Sequence, residues 1–151
     1  MRSDSVDLLP KLNEQKTYEN VTNFFKRDLE RIVLMSGSRM TDLASPNLNG
    51  APGSSNFNNV EINLINGLDA QNIVKSVNDA LHYGVDPVSK KILIGLYINH
   101  QRWVDIQPLI YREHTSFSVY RKHALISFAY SFEGWQVKNH CDKVIKLIET
   151  E

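Results

Sequence analysis

The chain has 151 residues, of which 42% are hydrophobic and 23% are charged, a composition typical of globular rather than disordered proteins. Seventeen basic and seventeen acidic side chains cancel, so the net charge by itself gives no evidence of a polyanionic partner. The single cysteine, Cys141, excludes a disulfide within the chain and fits a reducing, cytoplasmic setting. No apolar run approaches the roughly 20 residues of a membrane span, and the polar start lacks a secretory pattern, so no membrane partner is expected.

The first part of the chain predicts a flexible terminus followed by a helix. Residues 1–16 are polar and contain Pro10, which is typical of a flexible terminus. From Thr17, the predicted N-cap, apolar residues recur at helical spacing as far as Gly37, the predicted stop. These apolar positions are Val21, Phe24, Phe25, Leu29, Ile32 and Val33.

An irregular loop is predicted at residues 36–59, SGSRMTDLASPNLNGAPGSSNFNN, because this stretch is rich in residues that stop helices or favour turns. So long a connection is uncommon inside a compact domain, which favours a linker or an ordered functional loop. Helix is predicted to resume over NVEINLINGLDAQNIVKSVNDALHYG, with a break near Gly67, a second piece capped by Asp69, and an end at Gly84. The N-terminal helical region, loop included, is therefore predicted to span residues 17–84.

Residues 85–132 carry three apolar-periodic runs with almost no spacer: SKKILIGLYIN, RWVDIQPLI and EHTSFSVYRKHALISFA. Helix, short helix, tight turn and longer helix is the outline of a helix-turn-helix DNA reader, in which each helix buries one face in a shared core. The predicted buried faces are Ile92, Leu93, Leu96 and Tyr97, then Trp103, Ile106 and Ile110, then Phe117, Tyr120, Ala124, Leu125 and Phe128. From Val85 to Ser131, six basic residues meet three acidic ones, and a local basic patch fits a polyanionic partner.

The third run, about Glu113–Ala129, is the predicted recognition helix for the major groove of double-stranded DNA, because its outer half is mostly small, polar or basic. Small hydroxyl side chains can approach bases and phosphates closely, while Arg and Lys bind phosphates or guanine edges. The predicted DNA-binding residues are Arg112, His114, Thr115, Ser116, Ser118, Val119, Arg121 and Lys122. The alternative for Arg121 and Lys122 is an ordinary solvated helix face.

The last stretch, GWQVKNHCDKVIKLIETE, predicts an amphipathic C-terminal helix over residues 133–151. Its apolar side consists of Trp135, Val137, Cys141, Val144, Ile145 and Ile148. Such a helix would either cover the core or mediate a homodimer, and the pattern favours neither. Because no segment shows sustained strand-type alternation, the predicted class is all-α, with N-terminal helices joined by a long irregular loop to a C-terminal helix-turn-helix unit.

Most of the chain, from about Tyr18 to Trp135, resembles the ArpU-type regulators, a family of phage and prophage transcription factors that control late genes. The motifs that carry the resemblance are NFFKRDLERIVLMSGSRMTDLASPNLNGAP, DPVSKKILIGLYI and YRKHALISFAYSF. The resemblance implies a long loop rich in Asn, Pro and Gly, and it implies that the N-terminal helices contact host RNA polymerase. The expected function is therefore a transcriptional regulator, most simply an activator, in the bacterial cytoplasm.

The helix-turn-helix part is similar to the fourth region of bacterial primary sigma factors, which reads an upstream promoter element. That similarity puts Ile106 and Ile110 at the apolar positions of the second helix. It places Phe117, Tyr120, Ala124 and Leu125 at those of the third helix, and His114, Thr115, Ser118 and Val119 at base contacts. The sequence departs from this pattern in two places: Tyr111 replaces the usual turn glycine, and Pro108 lies inside the short second helix, where it removes a backbone donor.

Two other functions compete with DNA reading. A sigma-like module can bind polymerase or phage packaging components without reading bases, and the balanced charge and thin basic face favour this alternative. An enzyme is not expected, because the five histidines and one cysteine lack zinc-ligand spacing and the stretch GAPGSS lacks the lysine of a phosphate-binding loop. No Ser-His-Asp or paired-carboxylate pattern stands out either, so no metal and no cofactor are predicted.

Overall fold

The computed structural model of the chain describes residues 8–46, 65–110 and 117–151. This part of the chain is mostly helical and contains no sheet, so the predicted all-α class is confirmed. Its α-helices are α1 (Glu14–Asn23), α2 (Leu29–Ser36), α3 (Gly67–Asp79), α4 (Pro87–Leu93), α5 (Trp103–Ile110) and α6 (Phe117–Lys138). None of these described helices has the length and apolar character needed to cross a membrane.

Three π-helical turns extend these helices within the described residues. Phe24–Asp28 joins α1 to α2, Ala80–Gly84 continues α3, and Ile94–Ile98 continues α4. Sequence periodicity did not predict them, because each wider turn only shifts the buried face slightly. A 3₁₀ turn at Met40–Ala44 follows α2 and buries Leu43 completely.

The start of the predicted irregular loop is held against α3 and its π-turn. The Asn78 side chain donates a hydrogen bond to the Ser45 carbonyl oxygen at 2.9 Å, and His82 Nε2 lies 2.8 Å from the Leu43 carbonyl oxygen. Residues 36–46 of the predicted loop are therefore packed on the core, and its remainder, residues 47–59, lies outside the described residues.

The helix ends follow local capping chemistry, with some changes of residue. Gly37 ends α2 in the left-handed conformation, with φ 82°, as predicted. The N-cap of α1 is Asn13 rather than the predicted Thr17, and the N-cap of α3 is Asn66, whose side chain accepts from the Asp69 amide. In both cases an earlier Asn begins the helix, so the predicted cap residue lies inside the first turns.

Gly84 has a different role from the C-cap predicted for it. It ends the π-turn without a left-handed φ, and a Cβ placed on it would lie 2.8 Å from the Ser131 Cβ on α6. The absence of a side chain therefore lets the end of the α3 helix approach α6 closely.

Helix α6 is the centre of the fold, because α1, α3 and α4 all pack against it. It buries Ala124, Leu125, Phe128, Ala129 and Phe132. An aromatic cluster joins α6 to the π-turn after α1, since Phe24 lies 5.1 Å from Phe132 and Phe25 lies 4.8 Å from Phe128 between ring centroids. Such pairs add roughly 0.5–1.5 kcal/mol each beyond simple burial.

The predicted C-terminal helix over residues 133–151 is wrong. Residues 133–138 belong to α6, which passes through Gly134 without a break, so the predicted unit boundary after residue 132 falls inside one helix. His140 takes a left-handed φ of 62° just after α6, and the residues beyond it are extended or turned. Residues 139–151 therefore provide no amphipathic helix either to cover the core or to mediate a homodimer.

Buried side chains hold this C-terminal segment in an extended form. Fully buried Gln136 accepts a hydrogen bond from the Ile145 amide at 2.7 Å and donates one to the Ile145 carbonyl at 2.9 Å. Thr17, also fully buried, accepts from the Glu149 amide at 2.9 Å, and Asp69 accepts from the Asp142 amide at 2.8 Å. These contacts replace the backbone hydrogen bonds that a helix would have made, and a single-element pattern cannot predict them.

The predicted flexible terminus over residues 1–16 is wrong for its later part. The Glu151 amide donates to the Lys11 carbonyl and the Asn13 amide donates to the Glu149 carbonyl, both at 2.9 Å, around an isolated antiparallel bridge between Leu12 and Thr150. Helix α1 then begins at Glu14. The C-terminal segment thus ties down the residues that precede α1, while residues 1–7 lie outside the described residues.

Candidate nucleic-acid interface

Helices α4 and α5 pack closely around a glycine. A Cβ on Gly95 would lie 2.8 Å from the Ile106 Cδ1, so a larger residue there would require the end of the Ile106 side chain to shift. Ile106 and Ile110, the predicted core positions of the second helix, are 1% and 5% exposed. Lys91 Nζ also lies 3.5 Å from the Leu109 carbonyl oxygen near the end of α5.

Pro108 lies inside α5, as its position in the sequence predicted. The helix is short and the Pro108 ring is exposed. The backbone N–H that proline lacks would therefore lie on the solvent-facing side of the last turn. The tight turn predicted at Tyr111 lies outside the described residues.

A ring stack joins the start of α5 to the start of α6. The Trp103 and Phe117 rings are 3.6 Å apart between centroids, with an interplanar angle of 19°. Both side chains are half-buried, so the stack forms part of the shared core rather than an open platform for bases. It sets the position of the first turn of α6 relative to α5.

The predicted DNA-binding residues divide into three groups. Arg112, His114, Thr115 and Ser116 lie outside the described residues. Ser118 and Val119 lie on the exposed side of the first turn of α6, where Val119 keeps 57% of its surface exposed. Arg121 is half-buried against other parts of the chain, so its predicted place on the outer half of the helix is wrong, whereas the Lys122 side chain stays 43% exposed near Glu14.

The side chain of Arg121, on α6, packs against two tyrosines. Its Nε donates a hydrogen bond to the Tyr97 hydroxyl at 3.2 Å, and its guanidinium carbon lies 5.8 Å from the centre of the Tyr18 ring. Tyr97 is 6% exposed, and this burial raises the pKa of its phenol, although the bond from Arg121 opposes the rise. The phenol therefore stays a neutral acceptor for Arg121 at physiological pH.

Lys122 faces the first turn of α1, with its Nζ 3.8 Å from the Glu14 carboxylate. Both side chains are largely exposed, so this ion pair contributes at most a few tenths of a kcal/mol. The sequence pattern missed both contacts because they depend on how α1 and the π-turn after α4 pack along α6.

Among the described residues of the segment, the most exposed basic side chains are Lys91 and Arg102. Lys91 on α4 is exposed, and Arg102, just before α5, is 79% exposed with its Nε 3.5 Å from Asp105. Exposed cations of this kind can exchange a weak internal partner for a phosphate at little cost.

A polar cluster that the sequence did not predict surrounds the N-cap of α4. Asp86 accepts hydrogen bonds from the Ser89 hydroxyl at 2.7 Å and from the Ser89 amide at 3.1 Å. His123 Nε2 on α6 lies 3.3 Å from Asp86 and 3.4 Å from the Ser127 hydroxyl. Partial burial would raise the pKa of Asp86, but the Ser89 bonds outweigh it and hold the pKa below 3.8.

The same cluster lacks the geometry of a hydrolytic triad. One nitrogen of His123 approaches both Asp86 and Ser127, whereas a triad requires the acid and the nucleophile on opposite ring nitrogens. Across residues 8–46, 65–110 and 117–151, no group of three His, Cys, Asp or Glu side chains is arranged to hold a metal ion.

No protein-family model, no curated protein sequence and no solved structure matches the chain.

Proposed function

We propose that this chain is a sequence-specific DNA-binding regulator that inserts the N-terminal turns of α6 into the major groove. The observation that carries the proposal is the arrangement of three consecutive helices, in which α5 packs on α4 and the Trp103–Phe117 stack fixes the start of α6 beside α5. A major groove about 12 Å wide accepts one helix presented in this way. Ser118 and Val119 are the described side chains that such a helix would direct at base edges.

The apolar side chain of Val119 fits a specific kind of base contact. An exposed valine side chain contributes little to the stability of the folded protein, but it can pack against the C5-methyl group of thymine in the major groove. Ser118 beside it can bond a base edge or a phosphate. Lys91 and Arg102 supply nearby positive charge for the backbone phosphates.

The biological setting in the proposal comes from the ArpU-type resemblance. That resemblance suggests phage or prophage late genes as the target and host RNA polymerase as a second partner. The N-terminal helices offer a surface for such a partner, since Leu34 and Met35 on α2 are 70% and 47% exposed. Adjacent exposed apolar side chains of this size fit a protein contact.

Footprinting on promoter DNA from the surrounding genome tests the proposal. Wild-type protein should protect one promoter site, and Val119→Glu should abolish that protection because it places a carboxylate against bases and phosphates. Val137→Glu is the matched control, since Val137 lies on the same helix, is 64% exposed, and is 18 residues or roughly 27 Å from Val119 along the axis. Absence of protection by the wild type would refute the proposal.

A protein-interaction module is the second candidate, and a specific observation favours it. Arg121 and Lys122 contact Tyr97 and Glu14 inside the chain, so α6 presents fewer cations than a strong DNA reader. Meanwhile Val104 and Leu109 on α5 are 57% and 53% exposed, which suits an apolar partner. This candidate predicts a complex with RNA polymerase or a phage protein that survives both Val119→Glu and the double change Arg121→Ala/Lys122→Ala.

A further inference from the structure

A cleft of about 330 Å³ lies beside Arg121, and neither Ser118 nor Val119 is among the residues that line it. This volume falls at the lower end of the roughly 300–1,000 Å³ range of small-molecule sites. The cleft is lined by Phe25, Lys26, Glu30, Met40, Leu96, Tyr97, His100 and Arg121. These residues come from the π-turn after α1, the start of α2, the 3₁₀ turn, the π-turn after α4 with the residues that follow it, and α6.

One wall of the cleft is apolar and rigid. The Phe25 and Tyr97 rings stack with centroids 4.9 Å apart and an interplanar angle of 15°, and both are almost fully buried. Half-buried Met40 and Leu96 extend this wall. A flat or branched hydrocarbon group would find a preformed surface there, which keeps the entropic cost of binding low.

The polar lining favours an anion. Arg121, Lys26 and His100 bring positive charge or proton donors, against the single carboxylate of Glu30. The Arg121 Nε is occupied by the Tyr97 hydroxyl, but no hydrogen bond from the described residues reaches its two terminal nitrogens. A half-buried guanidinium whose terminal N–H groups have no hydrogen-bond partner among the described residues matches a carboxylate in geometry and charge.

The backbone around the cleft is irregular in two independent ways. Phe25 and Tyr97 each lie in a π-turn, and such turns frequently occur at functional sites. His100 has a φ of 55°, a conformation that glycine adopts more easily and that L-residues adopt at some cost. A glycine would end the helix there with less strain, but it would remove the imidazole that lines the cleft.

From these observations we infer that the cleft binds a small amphipathic carboxylate. Its apolar body would lie on the Phe25–Tyr97 stack and its carboxylate would take the terminal N–H groups of Arg121. This site is separate from the proposed DNA-binding surface, and the inference holds whether or not the chain reads DNA.

The test uses three probes that share one phenyl-propyl body and differ in charge: 3-phenylpropionate, 3-phenylpropan-1-ol and 3-phenylpropylamine. Calorimetric titration of the full chain should show saturable binding of the carboxylate, with the alcohol and the amine weaker by about tenfold or more. Arg121→Gln should weaken the carboxylate by about tenfold and leave the alcohol unchanged. Lys122→Gln is the matched control, because Lys122 faces Glu14 outside the cleft, and it should bind as the wild type does.

An amide chemical-shift map of the wild-type protein keeps the test decisive if Arg121→Gln folds poorly. The carboxylate should shift the amides of Met40, Leu96 and Tyr97 together. Equal affinity of the three probes, shifts confined to other surfaces, or no saturable binding of the carboxylate would each overturn the inference.

Discussion

The side chain of Arg121 donates a hydrogen bond to the Tyr97 hydroxyl at 3.2 Å and so ties α6 to the π-turn that follows α4. One bond therefore links the helix that carries the proposed DNA contacts with the helix that precedes α5. Arg121 lies two residues after Val119, which places the two side chains on roughly opposite sides of α6, so the inward position of Arg121 fits the exposure of Val119.

Removing the Tyr97 hydroxyl should therefore lower stability. Tyr97→Phe keeps the ring stacked on Phe25 but leaves the half-buried guanidinium of Arg121 without its acceptor, at an expected cost of about 1–2 kcal/mol. Urea denaturation measures this cost. Tyr130→Phe is the control, because Tyr130 is 49% exposed and should lose almost nothing. Equal losses in the two variants would contradict the role given to the Arg121–Tyr97 bond.

The buried amide of Gln136 should be essential for the extended C-terminal segment. Gln136→Met has a similar volume but would leave the Ile145 amide and carbonyl without partners, so we expect a loss of about 2 kcal/mol or more. Amide hydrogen exchange at Ile145 should become fast in this variant. Gln15→Met, at an exposed position on α1, is the control and should change neither quantity. Retained protection at Ile145 would show that other contacts hold the segment.

Glycine at residue 140 should stabilise the protein. His140 follows α6 with a φ of 62°, and the Cys141 amide bonds to the Gln136 carbonyl at 3.0 Å, which is the pattern that commonly uses glycine. His140→Gly should raise the free energy of unfolding by roughly 0.5–1 kcal/mol, because the left-handed conformation costs glycine less. His140→Ala keeps a Cβ and should bring no such gain. A loss of stability in His140→Gly would mean that the imidazole makes an important contact.

The N-cap of α4 should give the stability a pH dependence of known sign. The pKa of Asp86 is lowered from 3.8 in the folded protein, so its contribution is present above that value and is lost as the pH falls through the folded pKa. At about pH 7, Asp86→Ala should cost about 1 kcal/mol, and this difference should shrink below about pH 4. Urea titrations of both proteins across this range measure it. A difference that grows on acidification would contradict the assignment.

The sequence predicted those features that depend on a single element. The helical periodicity identified the buried positions Ile106, Ile110 and Phe128. Gly37 likewise ends α2 as its position indicated. Local propensity is enough for such features because their partners lie within a few residues.

The features that sequence reasoning missed depend on partners far along the chain. Residues 139–151 have a helical apolar pattern, yet Thr17, Asp69 and Gln136 hold them in an extended form through tertiary hydrogen bonds. The sequence predicted that Arg121 and Lys122 face solvent or DNA, because the residues near them on α6 do not indicate that Tyr97 and Glu14 lie beside them. Ser118 and Val119, in contrast, needed only the helical phase to be placed on the exposed side of α6.

The most direct test of the proposed DNA reading is fluorescence anisotropy with promoter DNA from the surrounding genome, titrated across a range of salt concentrations. Wild type and Val137→Glu should bind one promoter sequence selectively, with an affinity that falls steeply as salt rises, by a logarithmic slope of about 0.9 for each phosphate contacted. Val119→Glu should lose at least about tenfold in affinity for that sequence. Binding that is equal for all sequences at every salt concentration, or a Val119→Glu protein that binds as the wild type does, would contradict DNA reading by α6.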